Sequence, residues 1–364
     1  MKKLSFLIAF ILPITSVCGF YLGTYWNLLT PFFVFVLLPV LDLAVGKDES
    51  NPEEIYFLQL QKEDYYKIIT FLWTFVQTCF LIWALYVVAV SDLGTLDAIL
   101  FTASVGLVTG GIGITVAHEL GHKNSRVEQF LSKLLLLQVS YLHFYIEHNR
   151  GHHVNVATEE DPASSKENES FYRFYPRTVV GSYLSAWRLE SVRLNRSGLS
   201  FFHYKNEMIQ FTFFQFIGIA LIFCFSWALQ ETIVWEGFRS DVLRPVLFFL
   251  AQSVFGFSLL EAVNYVEHYG LQRKKQPSGK FERVMPIHSW NQNYFLSNAF
   301  LFQLQRHSDH HANAGRRYQT LRHYEEAPQL PFGYELMILI ALVPPLWFKI
   351  VNPILEEWKS KSID

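Results

Sequence analysis

Residues 97–123 read DAILFTASVGLVTGGIGITVAHELGHK. About 20 apolar residues suffice to cross a bilayer, and this stretch supplies them before ending on His118 and His122. The two histidines stand four apart, so on a helix they share one face. An apolar span that delivers two imidazoles at one end decides the fold class. The chain is predicted to be an all-α integral membrane protein with its chemistry at one edge of the bilayer.

Working outward, the pattern repeats. His148, His152 and His153 follow i, i+4, i+5 spacing, and His307, His310 and His311 follow i, i+3, i+4. His268 stands alone in NYVEHYGL (264–271). These nine of the 13 histidines exceed one zinc site, which takes about four ligands. Nine nitrogens predict two metal ions. Imidazole suits zinc, copper, iron and nickel, and the residues alone do not choose among them. Cys18, Cys79 and Cys224 lie in apolar stretches without a C-x-x-C pair, so neither a thiolate site nor a disulfide framework is expected. Two metals held by neutral rings call for carboxylates that accept from the ring N–H groups. Candidates are Glu119, Glu147, Glu159, Asp161, Glu267 and Asp309, with Glu267 and Asp309, flanked by histidines, foremost. His143, His203, His288 and His323 lack a partner at metal spacing and are expected on the surface or hydrogen-bonded.

The whole chain of 364 residues is 51% hydrophobic and 17% aromatic, a membrane-protein composition. Six stretches are predicted to span, at about 4–24, 28–46, 65–90, 97–120, 208–229 and 244–267. The 121–207 and 268–364 segments are rich in Lys and Arg, whereas 230–244 holds only Arg239 and Arg244. Basic connections stay in the cytoplasm. Both termini and all nine histidines are therefore expected on the cytoplasmic side, where 121–207 and 268–364 form a histidine-rich cap. The start, MKKLSFLIAF, resembles a signal peptide but is read as the first span, since no small-x-small cleavage site follows. The runs Phe130 to Tyr145 and Gly333 to Val351 are interrupted by Lys133 and His143 and by Pro344, Pro345 and Lys349. Both are expected as interfacial or partly buried helices. One domain, 1–364, is the simplest organisation. A net charge of −2 offers no argument for nucleic acid, and no nucleic-acid partner is expected.

His118-Glu119-Leu-Gly-His122 is also a literal H-E-x-x-H, in which two histidines bind zinc and the glutamate is a general base. An intramembrane zinc metalloprotease needs a further ligand, typically an aspartate on a later span, and the later spans offer none. That reading also leaves seven histidines without a role. A transporter would want ionisable groups near the midplane; Asp42 and Glu261, the exceptions here, lie toward helix ends. A haem protein needs only one or two axial ligands.

The strings HELGHK (118–123), EHNRGHH (147–153), NYVEHYGL (264–271) and LQRHSDHHA (304–312) resemble the membrane di-iron superfamily of desaturases, hydroxylases and alkane monooxygenases. Within it they are most similar to the AlkB-type alkane 1-monooxygenases, with xylene side-chain monooxygenase a close relative. The resemblance covers most of the chain. It implies two irons (Fe2+/Fe3+) held by His118, His122, His148, His152, His153, His268, His307, His310 and His311. It implies hydroxylation of the terminal methyl of medium-chain n-alkanes by O2, in a bacterial inner membrane. Electrons would come from rubredoxin, itself reduced by an NADH-dependent reductase. Rubredoxins are acidic, so Arg273, Lys274, Lys275, Arg316, Arg317 and Arg322 become candidate docking contacts. An alkane from the bilayer can be held only by shape and burial, at about 0.8 kcal/mol per CH2, so a closed tunnel to the metals is expected. Gly106, Gly110, Gly111 and Gly113 would let helices approach closely or widen that tunnel. Trp73, Phe101 and Phe257 are expected to limit its depth.

Overall fold

The computed structural model describes residues 3–233 and 242–361; Arg239 lies outside them. The described residues form helices and a few isolated bridges, with no strand. Among them, six helical stretches are long and apolar enough to cross a membrane: Lys3–Leu22, Thr24–Val45, Asp64–Val90, Thr95–Gly121, Glu207–Leu229 and Arg244–His268. Each lies within a few residues of its predicted bounds. The chain is a multi-pass membrane protein.

The fourth span is the centre of the bundle, with 72% of its apolar window buried against 11% for the fifth. Its small residues explain why. A Cβ on Gly110 would stand 2.3 Å from Gly256 Cα of the sixth span, so the two backbones touch there. Gly106 lies against Phe255, and Gly113 against the Gln77 amide of the third span. Gly111 has no neighbour within 4 Å of such a Cβ; it faces open space. Between these contacts, Leu107–Ile112 winds as a π-helix. A π-turn widens a helix and shifts the side chains beyond it, which re-aims His118 below.

Of the two readings offered for the Phe130 to Tyr145 run, partly buried rather than interfacial holds. Helix Arg126–Leu137 runs back along the fourth span, where Ser132 Oγ donates to the Ala117 carbonyl at 2.6 Å. It ends near Gln138, turns at Ser140 with φ 51°, and returns through Phe144–Glu147. The tip sits at mid-span depth. Gln77, halfway along the third span, donates to Gln138 Oε1 at 2.9 Å. Gln252 of the sixth span donates to the Gln138 carbonyl at 2.8 Å and accepts from Thr109 at 2.6 Å. Non-helical backbone survives at membrane depth only when protein satisfies it, and these amides do so. Gly333 to Val351, expected as an interfacial or partly buried helix, is two helices, buried Tyr334–Ala341 and one that starts at Pro344.

On the histidine side, helix Phe171–Arg196 lies in the basic 121–207 segment. It is held to the sixth span by Thr178, which donates to Glu261 at 2.7 Å, while Tyr141 donates to the other oxygen at 2.8 Å.

Gly110→Ala is expected to lower stability by about 1–3 kcal/mol, the usual cost of overpacking, whereas Gly111→Ala leaves it unchanged. Thermal unfolding of both variants in one detergent checks this; equal midpoints would remove the backbone contact as the cause.

Candidate metal centre

Four elements bring the nine histidines to one level. The fourth span ends at His118 and His122, and the sixth ends at His268. The returning arm of the re-entrant segment carries His148–His152 as a π-helix, and helix His307–Ala312 carries the rest. The π-turn matters for His153. Five positions on, an α-helix would point it away from His148, whereas i→i+5 winding brings it round beneath.

The histidines form two groups. In one, the ligand atoms of His118, His122, His148, His153 and His310 lie within 4.8 Å of one another; His152, His268, His307 and His311 form the other. The sequence boxes are therefore not the metal groups. His152 and His153 part company, as do His310 and His311, because adjacent helical residues point about 100° apart.

Nε2 atoms face Nε2 atoms. His122–His148 is 3.0 Å, His148–His153 3.0 Å, His153–His310 3.1 Å, His152–His311 3.2 Å and His268–His307 3.2 Å. Two nitrogens bound to one metal at about 2.0–2.1 Å stand about 2.9–3.4 Å apart. The spacings match edges of coordination polyhedra. His118 Nε2 is buried with no hydrogen-bond partner, as a lone pair aimed at a cation would be. The donor set fits two metal ions.

Burial, reinforced by the neighbouring histidines, pushes His122, His148, His153, His307, His310 and His311 well below the ordinary imidazole value. They are neutral and able to ligate. His152 differs: burial opposes its charge, but the Asp161 carboxylate more than offsets this. Asp161 accepts from His152 Nδ1 at 2.9 Å, turning Nε2 toward His311.

The other carboxylates divide. Glu267 does not serve a ring N–H on the outer side; its Oε2 lies 3.1 Å from His307 Nε2, on the inward face. Asp309 bonds no histidine ring. It accepts from Arg316 at 2.6 Å, from Asn313 and from the Arg322 backbone, holding the loop that follows the histidines. Glu119 pairs with Lys123 at 3.0 Å and accepts from the Tyr318 backbone. It is turned away from the nitrogens, where a protease base would have to stand. Glu147 is buried, and burial together with Asp161 pushes it up to about 8. Glu159 is exposed.

An apolar cavity reaches this centre from the bundle. His118, His148, His307 and Glu267 close one end, and Leu12, Val34, Leu107, Gly110, Gly111 and Leu260 are among its walls. Leu107 lies 11 residues before His118, about 16 Å of helix at 1.5 Å per residue. Trp73, Phe101 and Phe257 do not line it. Trp73 donates to Gln77, Phe101 stacks on Phe248, and Phe257 stacks on Tyr141.

Comparison with known proteins agrees with this geometry. The fatty acid desaturase family model matches residues 93–340. Alkane 1-monooxygenase 2 of Alcanivorax borkumensis is 42% identical over 97% of this chain and 90% of its own length. Alkane 1-monooxygenase 2 of Pseudomonas aeruginosa is 45% identical over 90% of this chain and 84% of its own. The chain belongs to the alkane 1-monooxygenases of the fatty acid desaturase family. A Pseudomonas putida xylene/toluene monooxygenase hydroxylase component is 26% identical over 97% of the chain, a more distant similarity.

In this alkane 1-monooxygenase chain, four of the six predicted docking residues are engaged internally. Arg316 pairs with Asp309, Arg317 with Glu128 at 2.9 Å and Arg322 with Glu54 at 2.7 Å. Arg273 donates to the backbone carbonyls of Val154 and Glu282. Lys274 and Lys275 remain exposed. His143 is not on the surface: it is buried against Tyr141, its Nε2 has no hydrogen-bond partner, and burial pushes it to about 3. His288 lies beside Glu282 at 3.1 Å, and His323 accepts from Asn293. Sequence reasoning missed Tyr334 and Glu335, which line the cavity. The available signal was one acid opening an otherwise apolar run, YELMILIALV (334–343).

Two predictions follow from this geometry. His268→Ala and His122→Ala should each lower metal content from about two ions per chain toward one, by elemental analysis; unchanged content would show that the groups are not metal sites. The metal-free protein should lose stability as pH falls. The folded-state pKa of these histidines lies below the unfolded value of about 6.5, so the unfolded chain binds more protons below that pH. The unfolding midpoint is expected to hold above pH 6.5 and drop below it.

Proposed function

We propose that this chain is a di-iron monooxygenase that hydroxylates the terminal methyl of medium-chain n-alkanes. The observation that carries the reading is the apolar cavity ending on two imidazole groups. The balance is alkane, O2, two electrons and two protons giving 1-alkanol and water. When bound by the nine histidines, the irons would supply O2 activation and C–H cleavage. Imidazole ligation is compatible with iron, the metal that the resemblance of the histidine boxes implies.

The protein's own part is physical. The cavity walls, formed by Leu12, Val34, Leu107, Ile114 and Leu260, bind each CH2 by burial at about 0.8 kcal/mol. They exclude water and leave the chain end as the group nearest His118 and His307. Asp161 holds His152 in one tautomer, an effect worth about 10–100-fold in metal affinity.

None of the three cysteines pairs as C-x-x-C, which supports an electron donor on a separate protein. We assign rubredoxin, reduced through an NADH-dependent reductase. Exposed Lys274 and Lys275 are the remaining basic contacts on the histidine side. That side, with both termini, is assigned to the cytoplasmic face of a bacterial inner membrane, consistent with the positive-inside rule.

Purified protein should contain about two irons and little zinc, and should convert octane to 1-octanol with rubredoxin, its reductase and NADH. Xylene turnover exceeding octane turnover would favour the aryl-methyl reading. Leu107→Ser should extend the accepted chain and Val34→Phe shorten it. Identical product profiles across both variants would sink the cavity as a ruler.

A further inference from the structure

One wall of the cavity carries, at Glu335, a cluster that the proposed function leaves without a role. Asp42, at the end of the second span, and Glu335, on helix Tyr334–Ala341, are 2% and 3% exposed. One hydroxyl joins them. Ser297 Oγ bonds Asp42 Oδ2 and lies 2.8 Å from Glu335 Oε2. A serine hydroxyl has one proton to donate. Two ionised carboxylates cannot both accept it, so one acid must itself carry a proton and donate to Ser297.

Counting bonds tells which. Asp42 Oδ1 accepts from the Leu296 and Ser297 backbone N–H groups at 2.9 and 3.2 Å, and its Oδ2 accepts from Ser297 N at 3.2 Å. Such donors stabilise the anion. Glu335 has no comparable set, and its Oε1 is buried with no partner. The proton belongs to Glu335. Its O–H donates to Ser297, and Ser297 donates to the Asp42 carboxylate. Burial pushes Glu335 up to about 8, and Asp42 acts in the same direction. The other titratable groups on this wall are Tyr334, in the same helix, and Glu267 of the sixth span.

We infer that Glu335 is a proton donor for the reaction, reloaded through Ser297 and Asp42. The inference rests on the monooxygenase reading, in which one oxygen atom of O2 leaves as water and two protons are consumed. The cavity is otherwise walled mostly by Leu, Val, Ile and Phe, and histidines facing a metal through Nε2 have no proton to spare there. Glu335 opens onto that space. Its O–H bond breaks, the proton ends on the departing oxygen, and the electron pair stays on the carboxylate. The electrons for O2 come from the external donor. A proton passed from Ser297 then restores the acid, and Ser297 recovers one by way of Asp42. Asp42, three residues before the end of its helix at Val45, takes that proton in turn from water.

The test compares wild type, Glu335→Gln and Ser297→Ala. Infrared spectra of the metal-free proteins should show protonated-carboxyl absorption at neutral pH, one component of which is lost in Glu335→Gln. With iron loaded to the wild-type level, Glu335→Gln should make alkanol about 100-fold more slowly, within the range of general-acid catalysis. It should also waste electrons as hydrogen peroxide and keep its KM for alkane. Ser297→Ala should show the same uncoupling while retaining that component, and it replaces Glu335→Gln if that variant does not accumulate. Unchanged carboxyl absorption in Glu335→Gln, or wild-type alkanol per electron in either variant, overturns the inference. Should the wild type itself make no alkanol, the function reading fails, and the infrared comparison still decides whether Glu335 holds the proton.

Discussion

Nine buried imidazoles gathered in two groups, eight of them with Nε2 within 3.0–3.2 Å of a neighbour's, form the constraint on which the structure depends. Buried lone pairs that face one another are costly unless something positive sits between them. Cations satisfy all of them at once, and only if every contributing element stops at the same depth. The fourth and sixth spans end there, the re-entrant arm returns there, and helix His307–Ala312 is held there. The loop after that helix is fastened by Asp309 to Arg316. Cations bound there would also need counter-charge, and Asp161 and Glu267 are the carboxylates that reach the rings.

The bilayer imposes the second constraint. A segment that dips to mid-span depth and turns must find partners for its backbone. Gln77, Gln138, Gln252 and Thr109 form that set, one from each packed element. The same glutamines leave the cavity side of the fourth span free, where Gly111 adds no bulk. Close packing at Gly110 and open space at Gly111 are thus two faces of one π-turn. The cavity exists because its neighbours are tightly joined.

Much of this was legible in the residues. The six spans announce themselves by apolar length, and each begins and ends within a few residues of its predicted bounds. Long periodic signals average over many side chains, so single errors matter little. That nine histidines gather was legible for the same reason, since they are clustered and in excess of any structural need. Individual orientations were not. Trp73, Phe101 and Phe257 looked like tunnel stops, but one helical residue turns the side chain by about 100°, and each packs elsewhere. Arg316, Arg317 and Arg322 looked free because their acidic partners, Asp309, Glu128 and Glu54, are set by the fold.

By itself the sequence determined an all-helical membrane protein, two metals' worth of imidazole, and one side of the membrane for all of it. Each of these follows from composition and spacing along the chain. The tertiary structure alone decided how the histidines divide, because His152 and His153 differ by one position yet serve different groups. It alone turned an apolar run into a re-entrant segment, since depth depends on what the segment packs against. It alone placed Ser297 between Asp42 and Glu335, residues that stand 293 positions apart in the chain. Which acid holds a proton is decided by who shares its hydrogen bonds, and those partners come from three separate parts of the chain.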